Sequence, residues 1–320
     1  MRIGRAWGLG VAVTAMMVAT ACSNDSPSGS SSEATSGGGG GDKGTVVISG
    51  QNFGEMQIMA SMYQQVLQNA GYTVPTPKLV TTRDTYVPEL KKGTVDVVPD
   101  YLAGMADFLN TSANGPNAPV ISTHSPQATL KKLKPLATAS NITMLKPAKA
   151  TDQNAFAVTT KFAKQNHLTT LSDLAGLKQP IVLAAPPDCK GRSDCEGGLT
   201  KVYGLDITKI IPLDYDSAAA KDSVTKGESQ LGEVATTDAA LSQEGLTALQ
   251  DDKGIQPAQN LIPATNTAFI KAHPDVATIL DKLSATLTTA DLAQMDMQVA
   301  VNRQQPADVA KSYLQSKGLL

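Results

Sequence analysis

Val46-Val47-Ile48-Ser49-Gly50-Gln51-Asn52-Phe53 opens the folded part of this 320-residue chain, and together with the helical stretch beyond Phe53 it decides the fold. The β-branched run reads as a short strand. Beyond Phe53, Met59, Met62, Tyr63, Val66, Leu67 and Ala70 recur at three- and four-residue steps, the period of one helix face. Gly71 then stands where the first residue past a helix belongs. A strand passing directly into an amphipathic helix is the first unit of an α/β lobe. It repeats: a β segment over 73–80, a short helix over 84–92, and a third strand, Val95-Asp96-Val97-Val98, which Pro99 ends for want of an N–H. Strands alternating with helices predict a largely parallel sheet.

A second set begins at Ala155-Phe156-Ala157-Val158. Thr170-Leu171-Ser172-Asp173-Leu174 reads as a helix start, and Ile181-Val182-Leu183-Ala184 as a buried strand. Next come a helix through Lys201-Val202-Tyr203 to Gly204, a strand over 207–213, a helix over 217–226 and a strand over 231–235. The tail reads as helices over 275–287, 290–300 and 307–318, with Pro306 suited to a first helical position. The expected architecture is α/β and two-lobed, with a hinge and two crossovers. Lobe 1 takes 45–148 and 244–320, and lobe 2 takes 149–243. Ligands in such sheets sit beyond the carboxyl ends of the strands. Gln51-Asn52, Asp100-Tyr101 and Thr236-Thr237-Asp238 fall there.

Ahead of the body, Arg2 and Arg5 precede a short apolar run from Ala6 to Ala19, and small residues lead to Ala21-Cys22. That order reads as a secretory signal over 1–21, too short to favour a spanning helix. A cysteine at the cleavage point resembles the bacterial lipoprotein signal, in which the thiol of Cys22 is acylated. An ordinary signal peptide with an incidental cysteine is the alternative. Residues 22–44 are rich in Ser and Gly and read as a flexible tether. The chain is thus expected at the extracytoplasmic face of the cell membrane, held by lipid.

The net charge of −2 and the scattered lysines argue against a nucleic-acid surface. Of three cysteines, Cys189 and Cys195 remain after Cys22, and in an exported chain they read most simply as a disulfide. A metal site built from them with Asp188, Asp194 and Glu196 is the alternative. No nucleophile elbow, phosphate loop or His-Glu-x-x-His is present, and His124, His167 and His273 lie far apart. The sequence therefore predicts no enzyme, no cofactor and no resident metal.

Several segments together resemble the glycine betaine/carnitine/choline-binding proteins of ABC importers. They are Val46 to Glu55, Val95-Asp96-Val97-Val98-Pro99-Asp100-Tyr101, the stretch from Pro187 through Arg192 to Tyr203-Gly204, Thr236-Thr237-Asp238, Leu249 to Gly254, and the tail from Pro306 to Leu320. The resemblance implies a periplasmic-binding-protein-like fold that closes on a small molecule. It also implies ABC permease and ATPase subunits as partners, and a monomer.

That family holds a trimethylammonium group in a box of tyrosines by cation–π attraction. Tyr101 keeps one wall, whereas the other aromatic positions fall on Asn154, Ala235 and Gln259. The first-loop basic residue falls on Gln51, and the arginine that contacts a carboxylate falls on Arg192. Aromatics make up 4% of the chain, so a rebuilt cage must draw on Phe53, Tyr86, Phe108 or Tyr215. The expected ligand set is Gln51, Asn52, Tyr101, Asn154, Arg192, Ala235, Thr237 and Gln259, around a polar or hydroxylated solute in place of glycine betaine or choline. A true quaternary-ammonium binder with a relocated cage is one alternative. A surface lipoprotein that senses or scaffolds without transport is another.

Overall fold

Strand β1 (Ser49–Gln51) runs into helix α1 (Gly54–Asn69), and the face marked by the apolar period is the buried one, Met56, Met59, Met62, Tyr63, Val66 and Leu67 among it. The computed structural model describes residues 43–320. The expected signal, Cys22 and the tether up to residue 42 lie outside the described residues. Lys43 and Gly44, expected as tether, already belong to the body. The Lys43 amide donates to the Gly71 carbonyl at 3.2 Å, and its ammonium meets Asp275 Oδ2 at 2.8 Å.

In chain order the next elements are β2 (Lys78–Val80), α2 (Arg83–Lys92), β3 (Val97–Tyr101), α3 (Leu102–Asn114), α4 (Pro126–Ala139) and β4 (Ile142–Met144). The chain then crosses to β5 (Asn154–Thr159), α5 (Thr160–Gln165), α6 (Leu171–Gly176), β6 (Pro180–Ala185), the single turn α7 (Glu196–Gly198), β7 (Asp206–Pro212), α8 (Ala218–Thr225), β8 (Leu231–Ala235) and β9 (Leu246–Leu249). It returns through β10 (Leu261–Asn266) and ends on α9 (Thr267–Ala272), α10 (Pro274–Thr286), α11 (Thr289–Ala300) and α12 (Pro306–Ser316). Local chemistry explains several of these starts. Thr170 and Thr288 each form a reciprocal capping box, with Asp173 and Asp291, and Pro306 occupies a first-turn position.

The two sheets share one plan. In lobe 1, β2 pairs with β1 in parallel, a bridge from Ile48 to Val97 joins β1 to β3, and β10 lies between β3 and β4. In lobe 2 the order is β7-β6-β8-β5-β9. The fourth strand of each, β10 and β5, is antiparallel to both neighbours. Each sheet is therefore mixed, not largely parallel as the alternation predicted. The reason is directional: a strand arriving from the other lobe starts at the cleft edge, where the parallel strands end, so it must run the opposite way.

Two boundaries differ from the expected ones. Strand β9 pairs with β5, so residues 244–249 complete the lobe 2 sheet instead of opening the return to lobe 1. Pro99 sits inside β3, facing Pro263 of β10. The Pro263 carbonyl accepts from the Leu145 amide at 3.0 Å, on the side away from β3. The two prolines thus oppose each other as a pair that exchanges no bond between β3 and β10, so neither missing N–H interrupts that ladder.

Alternation along β3 divides the lobe 1 core. Val97 and Tyr101 face the cluster built on α1, α10, α11 and α12, while Val98 faces that of α2, α3 and α4. Asp100, between them, shares the face of Val98 and is bonded by α2.

Candidate functional site

The carboxyl ends of β1, β3, β6, β7 and β8 and the amino ends of β5 and β10 all open on the region between the two lobes. The crossings are tied to each other there. Thr151 and Asn260 form an antiparallel bridge, the Asp152 amide donates to the Gln259 carbonyl at 3.3 Å, and Gln153 Nε2 donates to the Pro257 carbonyl at 2.5 Å. Residues on these crossings therefore sit at the hinge and at the floor of the cleft together.

Lobe 1 contributes an aromatic and acidic wall. Phe53, the extended residue that starts α1, stacks with Tyr101 at a centroid distance of 6.4 Å and 6° between planes. Tyr101 donates its hydroxyl to Glu55 Oε1. Glu55, in the first turn of α1, is 5% exposed, and its Oε2 has no hydrogen-bond partner among the described residues. A helix amino terminus favours a carboxylate. Burial first, and then the carboxylates of Asp296 and Asp152, nonetheless push Glu55 well above the ordinary carboxylate range. Asp296, on α11, is within hydrogen-bonding reach of Glu55, and burial pushes it up to about 7. Asp152 is raised by burial, while the Thr237 hydroxyl donated to its Oδ1 at 2.9 Å acts the other way.

Two cavities flank this group. One, about 280 Å³, is lined by Asp152, Asn154, Arg192, Tyr215, Gln256 and Gln259 among others. The other, about 330 Å³, is lined by Ala235, Thr237, Asp216, Lys221 and Asp296 among others. Five of the eight expected ligand residues thus line these cavities, Asn154, Arg192, Ala235, Thr237 and Gln259, while Tyr101 lines neither and is buried with its hydroxyl on Glu55. Asn154 and Ala235 are cross-strand partners, and Gln259 Oε1 accepts from the Gly104 amide at 3.1 Å. Gln51 and Asn52 are used locally. Gln51 Nε2 points at the Thr81 carbonyl, 3.5 Å away, and Asn52 Oδ1 accepts from Gln57 Nε2 at 2.8 Å.

Arg192 reaches the cavity already matched. Its Nε and Nη2 donate to the two carboxylate oxygens of Asp194 at 3.0 and 2.7 Å, and Nη1 donates to Asp188 at 3.2 Å. The loop carrying it is closed by Cys189 and Cys195, with an S–S distance of 2.07 Å and Cα atoms 5.3 Å apart. It is fastened to the crossing by Gln256 Nε2, which donates to the Asp194 carbonyl at 2.7 Å. Glu233 lies 3.4 Å from Cys195 Sγ, and burial raises it to about 7. Bridged sulfurs offer no thiolate, so Cys189, Cys195 and Glu233 lack the anionic sulfur of a zinc site.

Of the aromatics considered for a rebuilt cage, Tyr215 lines the smaller cavity and Phe53 is exposed beside Tyr101. Tyr86 is spent on Asp100, to which it donates at 2.5 Å, and Phe108 packs against the core between α3 and α4. Glu55, Asp152 and Asp296 were missed by sequence reasoning. Isolated carboxylates on a helix start, a crossing and a distant helix carry no joint signal until the fold assembles them.

A family described as the substrate-binding domain of ABC-type glycine betaine transport systems matches residues 44–316. The glycine-betaine-binding protein of Pseudomonas aeruginosa is 27% identical over 286 residues, covering 86% of this chain and 89% of that one. The glycine betaine-binding protein YehZ of Escherichia coli is 27% identical over 277 residues, covering 82% and 88%. The solved apo form of YehZ superposes with a TM-score of 0.72 at 24% identity, over 86% of this chain and 99% of that one. A glycine betaine/carnitine/choline ABC transporter structure gives the same score at 20% identity and the same coverage. These are two-lobed substrate-binding proteins, and the likeness extends over both lobes. No described helix is long and apolar enough to cross a membrane.

Proposed function

The chain belongs to the family of substrate-binding domains of ABC-type glycine betaine transport systems, and from that membership we propose that it is a lipid-anchored receptor that captures a small polar solute between its lobes and hands it to an ABC permease. The observation carrying this reading is the convergence of side chains from both lobes and both crossings on the two cavities: Tyr215 and Arg192 from lobe 2 with Asp152 and Gln259 from the crossings in one, and Asp296 from lobe 1 with Ala235 and Thr237 from lobe 2 in the other. A ligand touching all of them bridges the lobes and favours the closed form by its differential affinity. Acylation of Cys22 keeps the receptor beside its permease, since each buried methylene contributes about 0.8 kcal/mol.

The test has two parts. Cys22→Ala is expected to move the protein out of the membrane fraction, and its retention there defeats the anchor. A thermal-shift screen of the purified chain against osmolytes, amino-acid derivatives, polyols and amines is expected to return at least one stabilising solute. Binding raises the melting point in proportion to the logarithm of free ligand over Kd.

The stack of Phe53 on Tyr101, with Tyr215 at the same cleft, favours a second reading, a quaternary-ammonium binder whose cage has been rebuilt. Titration calorimetry separates the two. Micromolar binding of glycine betaine or choline selects the rebuilt cage. Weak or absent binding is expected if Asn154, Ala235 and Gln259 have replaced three aromatic walls, each worth roughly 0.5–2 kcal/mol.

A further inference from the structure

The charges around the cleft are unevenly matched. Arg192 and Lys221, the cations described at its two flanking cavities, are both spent: Arg192 on Asp194 and Asp188, and Lys221 on Asp238 at 2.7 Å and Glu244 at 3.1 Å. The carboxylates of Glu55, Asp152 and Asp296 have no cationic partner among the described residues. Between them they receive two hydroxyl hydrogens, from Tyr101 and Thr237. Glu55 Oε2 receives none, although the side chain is almost wholly buried and turned toward Asp296. A buried acceptor left without a donor costs on the order of 1–3 kcal/mol, more when charged.

Two carboxylates facing each other at hydrogen-bonding range are both acceptors. What satisfies them is a shared proton or a cation that itself donates hydrogen bonds. A trimethylammonium group carries positive charge but has no N–H to give, so it leaves Oε2 as it is. A protonated amine or a guanidinium supplies both charge and donors. The neighbouring rings of Phe53, Tyr101 and Tyr215 accept the apolar part of such a molecule or the face of its cation. Arg192 and Lys221, being matched, are not free for a ligand carboxylate.

We propose that Glu55, Asp152 and Asp296 form the cation subsite of this receptor and select an organic cation bearing N–H donors over both its N-trimethyl counterpart and a zwitterionic betaine. This rests on the receptor reading above and specifies the solute class for the same cleft. Below neutral pH a proton shared by Glu55 and Asp296 competes with the ligand. The groups around that proton are Tyr101 on β3, Asp152 with Thr237 at the crossing, and the first turn of α1. Binding of the cation displaces it.

The experiment is titration calorimetry on the purified full chain with hydroxyalkyl, alkyl and arylalkyl amines, each paired with its N-trimethyl analogue, in two buffers of different ionisation enthalpy. The N–H member is expected to bind tighter by about 10- to 100-fold and to release a proton near pH 6.5. In Glu55→Gln, which keeps the acceptor for Tyr101, the preference and the proton release are both expected to disappear while the thermal transition stays cooperative. Asp296→Asn is expected to do the same, whereas Glu233→Gln, away from the trio, leaves binding unchanged. Equal or tighter binding of the N-trimethyl member overturns the proposal, as does unchanged amine binding in Glu55→Gln or no amine binding in any pair. Those results leave the receptor reading intact. That reading falls only if the wider solute screen also finds nothing.

Discussion

Asp100 and Glu55 are both buried acids of lobe 1, and both are neighbours of Tyr101. Asp100 precedes it on β3 and faces α2. Glu55 lies across from it at the start of α1, and the tyrosine hydroxyl points the other way to reach it. Around Asp100 every lone pair is claimed: Arg83 donates from Nε and Nη2, the shortest contact being 2.6 Å, Tyr86 donates at 2.5 Å, and the Tyr101 amide at 2.6 Å. Around Glu55 there is one described donor, and two further carboxylates press on it. One site is a closed hydrogen-bond network that holds β3 to α2. The other is held open, electrostatically, by the same strand. A buried charge that is fully matched is architecture, whereas one left short of donors in a cleft points to a ligand.

That contrast can be broken experimentally, starting with the matched site. Asp100→Asn leaves the Arg83 guanidinium mostly buried with an amide against it, and chemical denaturation is expected to show a loss of about 3–5 kcal/mol. A loss under about 1 kcal/mol erases the difference between the two acids. Next in size is the covalent brace of lobe 2. Replacing Cys189 and Cys195 by serine is expected to cost about 2 kcal/mol, since the closed loop is short. It should also loosen the Arg192 loop, which protease sensitivity near residue 192 reads out.

The unmatched site should respond with the opposite sign. Asp296 is raised from 3.8 to about 7, and Glu55 is raised too, so the folded state holds protons that the unfolded chain has released. Their stabilising effect is full below the unfolded pKa and is lost as pH rises through the folded one, about 7 for Asp296. Asp296→Asn is therefore expected to raise stability at pH 7.5 by roughly 1–2 kcal/mol after discounting for partial solvation, and Glu55→Gln to change it in the same direction. Near pH 4 neither should change it, which flattens the pH dependence between the two. Thermal melts at both pH values decide this, and a destabilised Glu55→Gln at pH 7.5 contradicts the assignment. At the small end lies the exposed pair Lys43–Asp275, side chains 45% and 43% exposed. Lys43→Ala should move stability by no more than about 0.5 kcal/mol.

How much was legible in the sequence depends on the kind of signal each feature leaves. The α1 stripe from Met59 to Ala70, the strand of residues 231–235 and the capped starts at Thr170 and Pro306 are local patterns, and they survive in place. Strands β9 and β10 leave no such local mark, because Leu246–Leu249 and Leu261–Asn266 are short and hydrogen-bond to strands far off in sequence. Tyr101, Asn154 and Gln259 are singled out by the family resemblance, whose box positions fall on them. The acids are not, because Glu55, Asp152 and Asp296 are separated by about a hundred residues or more and meet only when α1 packs on α11 beside the crossing. Arg192 was legible as a loop residue at the cleft, but its use by Asp194 and Asp188 depends on the tight loop that the disulfide closes.

The exchange of fourth strands between the sheets also has a consequence for the order in which the chain acquires structure. Lobe 2 draws its sheet from one uninterrupted stretch, residues 154–249, and has all its parts once that stretch has emerged. Lobe 1 begins first and finishes last. Its sheet lacks a central strand until β10 appears, and α1 lacks its cover until α12 arrives to pack on it, with Gln65 Nε2 then bonding the Ala307 carbonyl at 2.9 Å. Through that interval the methionine-rich face of α1 has only β1 and β3 to pack on, without the closing helices. Closing so long a loop is entropically costly and slow. Lobe 1 is therefore expected to reach its final packing after lobe 2, although its first strand and helix are made first.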